Sequence, residues 1–267
     1  MTAEAETEVE REAGAPLLSI VIPLLNERDN LPQLVGQLDG LMNIAGIEII
    51  AVDGGSSDGT VAYLQQAGVA VITSRPGRAR QMNAGADLCR GDTLLFLHAD
   101  TRLPLHIQGQ SLAIYLAEAL NKSDRQWGRF DVAISGRHAL LGMVAFFMNL
   151  RSRLTGIATG DQCIFVRRAL FMQLGGFRDQ PLMEDIELSA RLRRVGKPLC
   201  LRHKVVTSGR RWDTHGLCKT VILMWRLRLA YWLGASPGAL VQRYYRPDKQ
   251  LSSESGPDHS GQHQGKA

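Results

Sequence analysis

The stretch that decides the fold is Ile49-Ile50-Ala51-Val52-Asp53-Gly54-Gly55-Ser56-Ser57-Asp58-Gly59-Thr60, an apolar run that ends on an aspartate and enters a glycine-rich polar turn. This pattern is typical of a strand that passes through a turn into a helix. Ligands of open α/β sheets bind outside the carboxyl ends of the strands, where backbone N–H groups can reach a nucleotide. We therefore expect Asp53 to hydrogen-bond a base or a ribose. A simpler alternative stays open, in which Ser57 or Asp58 only caps the following helix.

The length and composition fit one catalytic α/β domain with additions at both ends. Of the 267 residues, 45% are hydrophobic, which is enough to bury one sizeable core. Residues 1–12 carry five glutamates against Arg11, and the chain after Pro247 is mostly small, polar or charged. Such segments cannot offset their ordering entropy. We predict a disordered acidic tail over 1–15, the catalytic domain over 16–213, an amphipathic helical extension over 214–246 and a disordered tail over 247–267.

Positive charge is concentrated in the last third of the chain. The net charge is +5, and eleven Lys and Arg residues between Arg191 and Arg228 face Asp213 as the one acidic residue. This excess suggests an anionic partner, which could be phosphates, a lipid surface or nucleic acid. A solvated basic face explains the same composition equally well.

Cysteine spacing and hydropathy favour a cytoplasmic protein. The four cysteines lie far apart, with no pair at metal-ligand spacing, and no signal peptide is expected at the start of the chain. The apolar stretch Ala139–Leu150 is shorter than the roughly 20 residues of a membrane span. The second apolar stretch, Val221–Leu233, is interrupted by two arginines. We therefore predict no span, although the second stretch could form a basic amphipathic helix that lies on a membrane or packs on the domain.

Apolar runs and helical patterns alternate along the first half, which predicts a parallel sheet flanked by helices. The predicted strands are Leu18–Ile22, Glu48–Val52, Val69–Thr73 and Thr93–Leu97. The second half predicts a strand around Phe130–Ile134, a helix over His138–Arg153, a short strand over Cys163–Val166, and a helix that starts at Glu184 and stops at Gly196.

Polar side chains follow three of the predicted strands. Asn26 and Glu27 follow the first strand, Asp53 ends the second, and His98 and Asp100 follow the fourth. Random loop polarity seldom does this at every strand end, so we predict one shared ligand site. Asp100 suits a hard cation, because Mg²⁺ is typically held by one or two carboxylates plus substrate phosphates. His98 could contact ribose or metal, or could simply close its strand.

Glu184 and Asp185 form a second carboxylate pair, at the predicted first turn of a helix. A helix N-terminus stabilises an ionised carboxylate by a few tenths to about 1 kcal/mol. Asp185 would then remain charged and able to take a proton. Helix capping explains the same placement.

Taken together and in order, these motifs resemble the family 2 glycosyltransferases of the GT-A fold over roughly Leu17 to Trp212. The motifs are Ser19-Ile20-Val21-Ile22-Pro23, Asn26-Glu27, Val52–Thr60, Asn83-Ala84-Gly85, Leu97-His98-Ala99-Asp100, Gly175-Gly176-Phe177 and Glu184-Asp185. The resemblance implies an α/β fold with a mostly parallel, Rossmann-like central sheet flanked by helices. The helical C-terminal extension would follow that domain.

The resemblance also implies roles for individual residues. Asp53 would contact the base, usually uracil, and Asp100 would match the last Asp of the Asp-X-Asp motif that holds Mg²⁺ or Mn²⁺ on the diphosphate. Asp185 would match the base that deprotonates the acceptor hydroxyl. The residues expected to bind the nucleotide sugar are Pro23, Asn26, Glu27, Asp53, Arg80, Asn83, His98, Ala99, Asp100 and Arg211. The residues expected on the acceptor side are Gly160, Asp161, Glu184 and Trp212.

The chain departs from the family pattern in two places. His98 stands where the metal motif has its first Asp, which puts strict metal dependence in question. Arg210-Arg211-Trp212 matches only the Arg-Trp end of the Gln-X-X-Arg-Trp signature of processive members. A polysaccharide synthase is therefore not expected. Arg211 could hold the diphosphate, as could Arg75, Arg78 or Arg80, unless the last three are solvated surface.

A narrower resemblance concerns the acceptor. The helix Arg78–Ala86 and the turn Thr159-Gly160-Asp161-Gln162 resemble small bacterial transferases assigned to arsenosugar biosynthesis. Similarity to carotenoid-acid glucosyltransferases would instead point to a lipid acceptor.

The sequence thus predicts a cytoplasmic, metal-dependent, inverting glycosyltransferase. Its donor would be a nucleotide sugar, with a UDP-sugar first, and its acceptor a small or lipid-linked hydroxyl compound. An anionic membrane surface is a further possible partner, and nucleic acid is not expected. Two alternatives remain: a nucleotidyltransferase on a similar sheet, and a non-catalytic, membrane-recruited binding protein.

Overall fold

The computed structural model describes residues 15–244, apart from the side chain of His215. The acidic tail predicted over 1–15 lies outside this range except for Ala15. The tail predicted over 247–267 lies outside it entirely.

The described residues form an alternating series of strands and helices. The strands are β1 (Leu18–Leu24), β2 (Ile47–Asp53), β3 (Val71–Thr73), β4 (Thr93–Phe96), β5 (Thr101–Arg102), β6 (His106–Ile107), β7 (Gln110–Ser111), β8 (Trp127–Ser135), β9 (Phe165–Arg167) and β10 (Leu199–Ser208). The helices are α1 (Leu31–Met42), α2 (Thr60–Gln66), α3 (Arg78–Leu88), α4 (Leu112–Ser123), α5 (Leu141–Thr155), α6 (Arg168–Gln173), α7 (Glu184–Val195), α8 (Arg210–His215) and α9 (Leu217–Trp232). Single 3-10 turns cover Arg28–Asn30 and Gly160–Gln162, and residues 237–244 are also helical.

The strands β3-β2-β1-β4-β9-β8-β10-β5 form one sheet in that order. The pairs β2/β3, β1/β2, β1/β4 and β8/β10 are parallel, and β9 lies antiparallel between β4 and β8. Because two antiparallel pairings restore the direction, β8 and β10 run the same way as β1 to β4. The carboxyl ends of six strands therefore meet at one edge of the sheet. The prediction of an α/β fold with a mostly parallel central sheet is confirmed.

Two hydrophobic layers cover the two faces of this sheet. On one face, Ile20 and Ile22 pack with α1 and α4; on the other, Val21 packs with α3 and α7. Successive residues of β1 thus point to opposite layers, as the period of two in a strand requires. All seven residues of β1 are buried, which explains why this strand reads as a continuous apolar run.

The longest elements that the sequence pattern does not predict are α4 and β10. β10 carries Arg202 and Lys204 at exposed positions, although Val205 and Leu201 on the same strand are buried. Its outer neighbour β5 pairs with only two of its residues, Val206 and Thr207. Among the described residues, the rest of the β10 edge that faces β5 pairs with no strand, so charged residues are tolerated there. These charges interrupt the apolar pattern by which a strand is predicted from sequence.

The helical extension packs on the domain that precedes it. Leu227 of α9 forms a buried cluster with Met183, just before α7, and with Leu240. The predicted boundary between residues 213 and 214 falls inside α8. No helix within residues 15–244 has both the length and the apolar character that crossing a bilayer requires.

Helix α3 lies so close to the sheet that one position accepts only glycine. A Cβ on Gly85 would lie 2.5 Å from Cγ1 of Val21 and 2.9 Å from Cγ2 of Val52. We expect Gly85→Ala to lower the free energy of unfolding, because an overpacking cost of about 1–3 kcal/mol exceeds the gain in helix propensity. Urea unfolding measures the change.

The matched control is Gly36→Ala, at an exposed position inside α1 where an added Cβ meets nothing within 4 Å. This variant is expected to gain roughly 0.5–1 kcal/mol from helix propensity. Equal effects of the two substitutions would contradict the close approach of α3 to the sheet.

Candidate active site

A cleft of about 290 Å³ opens at the edge where the carboxyl ends of the parallel strands meet. Its walls come from the loops after β1, β4 and β10, from the 3-10 turn Gly160–Gln162, and from α7 and α9. The predicted site residues that line it are Glu27, His98, Asp100, Gly160, Asp161, Glu184, Asp185, Arg211 and Trp212. The structure therefore brings Asp100 and Asp185 to one cavity.

Asp100 lies in the cleft on the segment that joins β4 to β5. Its backbone carbonyl accepts a hydrogen bond from the Ser208 N–H (3.2 Å), which ties the segment to the end of β10. Thr101 Oγ1 lies 3.3 Å from Oδ1 of Asp100. Among the described residues, no group of three or more His, Cys, Asp or Glu side chains is arranged to hold a metal. One open carboxylate fits a Mg²⁺-type ion that is held mainly by substrate phosphates and water.

His98 points toward the acceptor-side turn. Its Nδ1 lies 3.4 Å from Oδ1 of Asp161, and a Cβ on Gly160 would lie 2.3 Å from the His98 ring. Only glycine at position 160 leaves room for this ring. Burial opposes ionisation of Asp161, but the hydrogen bond from His98 and the charges of His98, Arg78 and Arg228 lower the pKa of Asp161.

Asp185, at the start of α7, accepts hydrogen bonds from two backbone N–H groups. Its Oδ2 accepts from the Gly160 N–H (2.8 Å) and its Oδ1 from the Ile186 N–H (2.7 Å). Each carboxylate oxygen has a second lone pair, so the group can still accept a proton from a ligand in the cleft.

The neighbouring carboxyl group differs in its environment. Glu184 is only 6% exposed, and burial together with the negative charge of Asp185 raises the pKa of Glu184. The two acids of the pair are therefore not equivalent.

Asp53 and Asn26 build the donor-side loop and do not line the cleft. Asp53 is 2% exposed, and its Oδ2 accepts from the N–H groups of Gly55 (2.8 Å) and Ser56 (3.0 Å). Asn26 donates its N–H to Ser56 Oγ and accepts from the Ser57 N–H through Oδ1. The helix-cap alternative holds in part, because Asp58 accepts from the Thr60 N–H and hydroxyl.

The side chains of the α3 motif Arg80-Gln81-Met82-Asn83 mainly bond to neighbouring segments of the protein. The buried Gln81 donates through Nε2 to the carbonyls of Leu24 (2.7 Å) and Val52 (2.8 Å), which joins the ends of β1 and β2. Asn83 bonds both backbone groups of Phe177, and Arg80 pairs with the exposed Asp179 at 2.8 Å.

The two remaining predicted residues, Pro23 and Ala99, are buried. Like Asp53, Asn26, Arg80 and Asn83, they lie outside the cleft lining.

The sequence reasoning missed two arginines beside Asp185. Burial and the charge of Arg228 lower the pKa of Arg151 to about 10, whereas the carboxylates of Asp185 and Asp161 act in the opposite direction. Burial also lowers the pKa of Arg228, against the same two carboxylates. Arg228 lines the cleft, although its sequence context suggested a basic helix at a membrane. No local signal marks Arg151, because it lies in an otherwise ordinary helix.

The fold and the cleft define an α/β protein of the GT-A type. Its fold is similar to that of a mannosyltransferase from Pyrobaculum calidifontis, solved in complex with GDP-Man and Mn²⁺, with a TM-score of 0.56, 18% identity, and coverage of 91% of this chain and 76% of the other. Staphylococcus aureus TarS, solved with UDP-GlcNAc, has a TM-score of 0.56 and 15% identity over 72% of this chain and 58% of that chain.

Sequence comparison gives the family. The model of glycosyl transferase family 2 matches residues 19–171. An uncharacterized glycosyltransferase of Mycobacterium tuberculosis is 30% identical over 198 residues, which cover 71% of this chain and 73% of that protein. An undecaprenyl-phosphate 4-deoxy-4-formamido-L-arabinose transferase of Pseudomonas savastanoi is 32% identical over 134 residues, 44% of this chain and 40% of its own length. The chain belongs to glycosyl transferase family 2 and is a glycosyltransferase.

The raised pKa of Glu184 gives the stability of the fold a definite pH dependence. The folded state binds this proton more tightly than the unfolded chain does, so the free energy of unfolding falls as pH rises from about 4.3 through the raised pKa. We expect Glu184→Gln to remove this loss. The free energy of unfolding of the variant, relative to that of the unmodified chain, should therefore be higher at pH 8 than at pH 4.5. Thermal unfolding at both values measures the difference.

Glu118→Gln is the matched control, because the hydrogen bond from Lys122 lowers the pKa of this exposed carboxyl. Its contribution has the opposite sign: it is present above the unfolded pKa and is lost as pH falls. The assignment is refuted by a Glu184→Gln variant whose stability relative to the unmodified chain is the same at both pH values.

Proposed function

We propose that this glycosyltransferase is inverting, uses a nucleoside-diphosphate sugar, and moves one sugar to a hydroxyl acceptor with Asp185 as the base. The observation that carries the proposal is that Asp100 and Asp185, which are distant in sequence, line the same cleft. A direct displacement needs positive charge at the departing diphosphate and a base at the acceptor. The family assignment also favours glycosyl transfer over the nucleotidyltransferase alternative.

The chemistry at Asp185 follows from its two backbone bonds. The Gly160 and Ile186 N–H groups keep the carboxylate in one orientation at the cleft wall. The acceptor oxygen forms a bond to the anomeric carbon as the bond from that carbon to the diphosphate oxygen breaks. The acceptor proton passes to Asp185, and the electron pair leaves with the nucleoside diphosphate. Attack from the side opposite the leaving group inverts the anomeric configuration.

The donor side is proposed around Asp100. Its carboxylate would hold Mg²⁺ or Mn²⁺, which when bound would offset the negative charge of the departing diphosphate. Arg211, which lines the same cleft with its guanidinium 3.8 Å from the ring centre of Tyr244, would contact the same phosphates. Asp53, Asn26 and Pro23 would shape the nucleotide pocket through the loop they build. A UDP-sugar is the first donor to test.

The acceptor is proposed to be small or lipid-linked. Support for a lipid comes from two helices that flank the cleft and expose large apolar side chains. On α5, Phe146 is 61% exposed and Leu154 is 77% exposed; on α9, Trp225 is 70% exposed and Trp232 is 80% exposed. Surfaces of this kind mark membrane or partner contacts. We therefore propose peripheral association with an anionic membrane, and we keep the arsenosugar assignment as a hypothesis about the acceptor.

Removal of the base tests the catalytic role directly. Asp185→Asn is expected to lower the turnover rate by roughly 100-fold or more, with donor binding retained, because the acceptor proton loses its recipient. Release of nucleoside diphosphate from UDP-sugars with candidate hydroxyl acceptors measures the rate, and UDP titration measures donor binding. Glu184→Gln, at the neighbouring position, is expected to do less. A larger loss in Glu184→Gln than in Asp185→Asn would reject the assignment.

The metal role of Asp100 is tested by binding. Asp100→Ala is expected to remove the Mn²⁺-dependent part of UDP binding and to abolish transfer, because no second carboxylate of the motif can replace it. Thermal stabilisation by UDP with and without Mn²⁺ measures this, since a ligand of the native state raises its stability. Asp39→Ala, at an exposed position of α1, is the control. Mn²⁺-dependent UDP binding that survives Asp100→Ala would contradict the proposal.

A further inference from the structure

We infer that the acceptor is an anion, and that Arg151 and Arg228 bind its phosphate group beside Asp185. The inference rests on the proposed glycosyl transfer and names the chemical class of the acceptor. It is carried by the contacts and burial of the two arginines and of the acids around them.

Arg228 brings a positive charge into the acceptor half of the cleft. It lies on α9 one turn after Met224, which lines the same cleft, and next to Leu227, which is buried against Met183. No hydrogen bond or ion pair links the Arg228 guanidinium to another described residue within the usual distance limits. Its charge is therefore available to a ligand.

Arg151 brings a second charge from α5, where it lies one turn after Met148, which lines the cleft. Its Nε and Nη2 are buried and have no hydrogen-bond partner among the described residues. A buried, unpaired N–H group costs free energy, and a ligand that the protein binds is one of the few ways to satisfy it. Arg129 differs in part, because its Nη1 donates to Asp131 and its Nη2 donates to the Asn149 carbonyl, although its Nε is also buried without a partner among the described residues.

The acids near these arginines form no hydrogen bond or ion pair with them among the described residues, although the charges of Asp185 and Asp161 act on both arginines. Both oxygens of Asp185 accept backbone N–H groups, and Asp161 pairs with His98. Arg151 and Arg228 also repel each other, which contributes to the lowered pKa of Arg151. Two desolvated guanidinium groups that face one ligand form a strong site for a phosphate, which each can bind through two N–H groups.

The phosphate would lie near the base but separate from the donor's diphosphate. Asp185 and Asp161 are the acids whose charges act on both arginines. The acceptor hydroxyl would then be held by its own phosphate within reach of Asp185. The phosphate could belong to a lipid, in contact with the exposed apolar side chains of α5 and α9, or to a soluble phosphate ester.

Paired probes distinguish these sources and test the inference. The full chain is titrated with glycerol 3-phosphate against glycerol, and with neutral phosphatidylcholine vesicles that contain farnesyl phosphate against farnesol. Each titration is run without and with saturating UDP and Mn²⁺, which fill the donor's phosphate site. We expect the phosphate member of at least one pair to bind about tenfold or more tightly than its neutral partner, and the pair that shows this identifies the source.

Variants then assign the preference to the two arginines. Arg151→Gln and Arg228→Gln are each expected to reduce it about tenfold, and Arg228→Lys to restore part of it, because the charge remains without the planar fork. Arg226→Gln, at an exposed position of the same helix, is the matched control and is expected to keep it. Retained UDP binding shows that each variant is folded.

Several outcomes overturn the inference. One is equal binding of the two members of both pairs, including no binding of either. Another is a preference that persists in the Arg151→Gln, Arg228→Gln double variant. A preference that disappears when UDP is added would assign the arginines to the donor's diphosphate. Failure of the unmodified chain to bind any nucleotide counts against the proposed function instead, and the inference is then decided by the titrations without UDP.

Discussion

The cleft depends on one hydrogen bond, from the Gly160 N–H to Oδ2 of Asp185, 2.8 Å long. This bond joins the 3-10 turn before β9 to the start of α7. The same turn carries Asp161, which pairs with His98, and Gly160 itself leaves the space that the His98 ring occupies. Three segments that are distant in sequence are thereby held in one geometry. A side chain at position 160 would displace both His98 and Asp185. Gly160 is therefore essential to the geometry of the site, although it has no reactive side chain of its own.

The polar residues of the site fall into two groups: those that line the cleft and those that hydrogen-bond to other parts of the protein. The parallel strands deliver polar groups to one edge, as the sheet direction requires, but many of these groups bond to the protein itself. Asp53 holds the backbone of its own loop, and Gln81 joins the ends of β1 and β2. Ligand contact is proposed for fewer groups, chiefly Asp100, Asp185 and the arginines. Preorganisation of this kind lowers the cost of ordering a site when a ligand binds.

The sequence predicted what local patterns encode. Period-two and period-3.6 patterns gave the first four strands and α1, and the position of Asp100 after a strand predicted its place at the edge of the sheet. The role of Asp185 came from the family resemblance, and the structure shows that it lines the same cleft as Asp100. The strand β10 was missed, because its exposed side tolerates Arg202 and Lys204. Arg151 was missed for a different reason: its proposed role depends on α5 and α9 flanking one cleft, which no periodicity within either helix records. Motif order predicted the family, whereas the electrostatics of the acceptor side required the tertiary structure.

The helices α5 and α9 depart from the usual distribution of apolar and charged side chains on a surface helix. A helix on the outside of a water-soluble domain normally turns its apolar stripe to the core and its charges to solvent. Here the guanidinium groups of Arg151 and Arg228 are desolvated and Arg228 lines the cleft, while Phe146, Trp225 and other large apolar side chains are exposed. Desolvated charge strengthens electrostatic binding inside the cleft, and the apolar rim favours an amphipathic ligand. One acceptor that is apolar at one end and anionic at the other would satisfy both features at once.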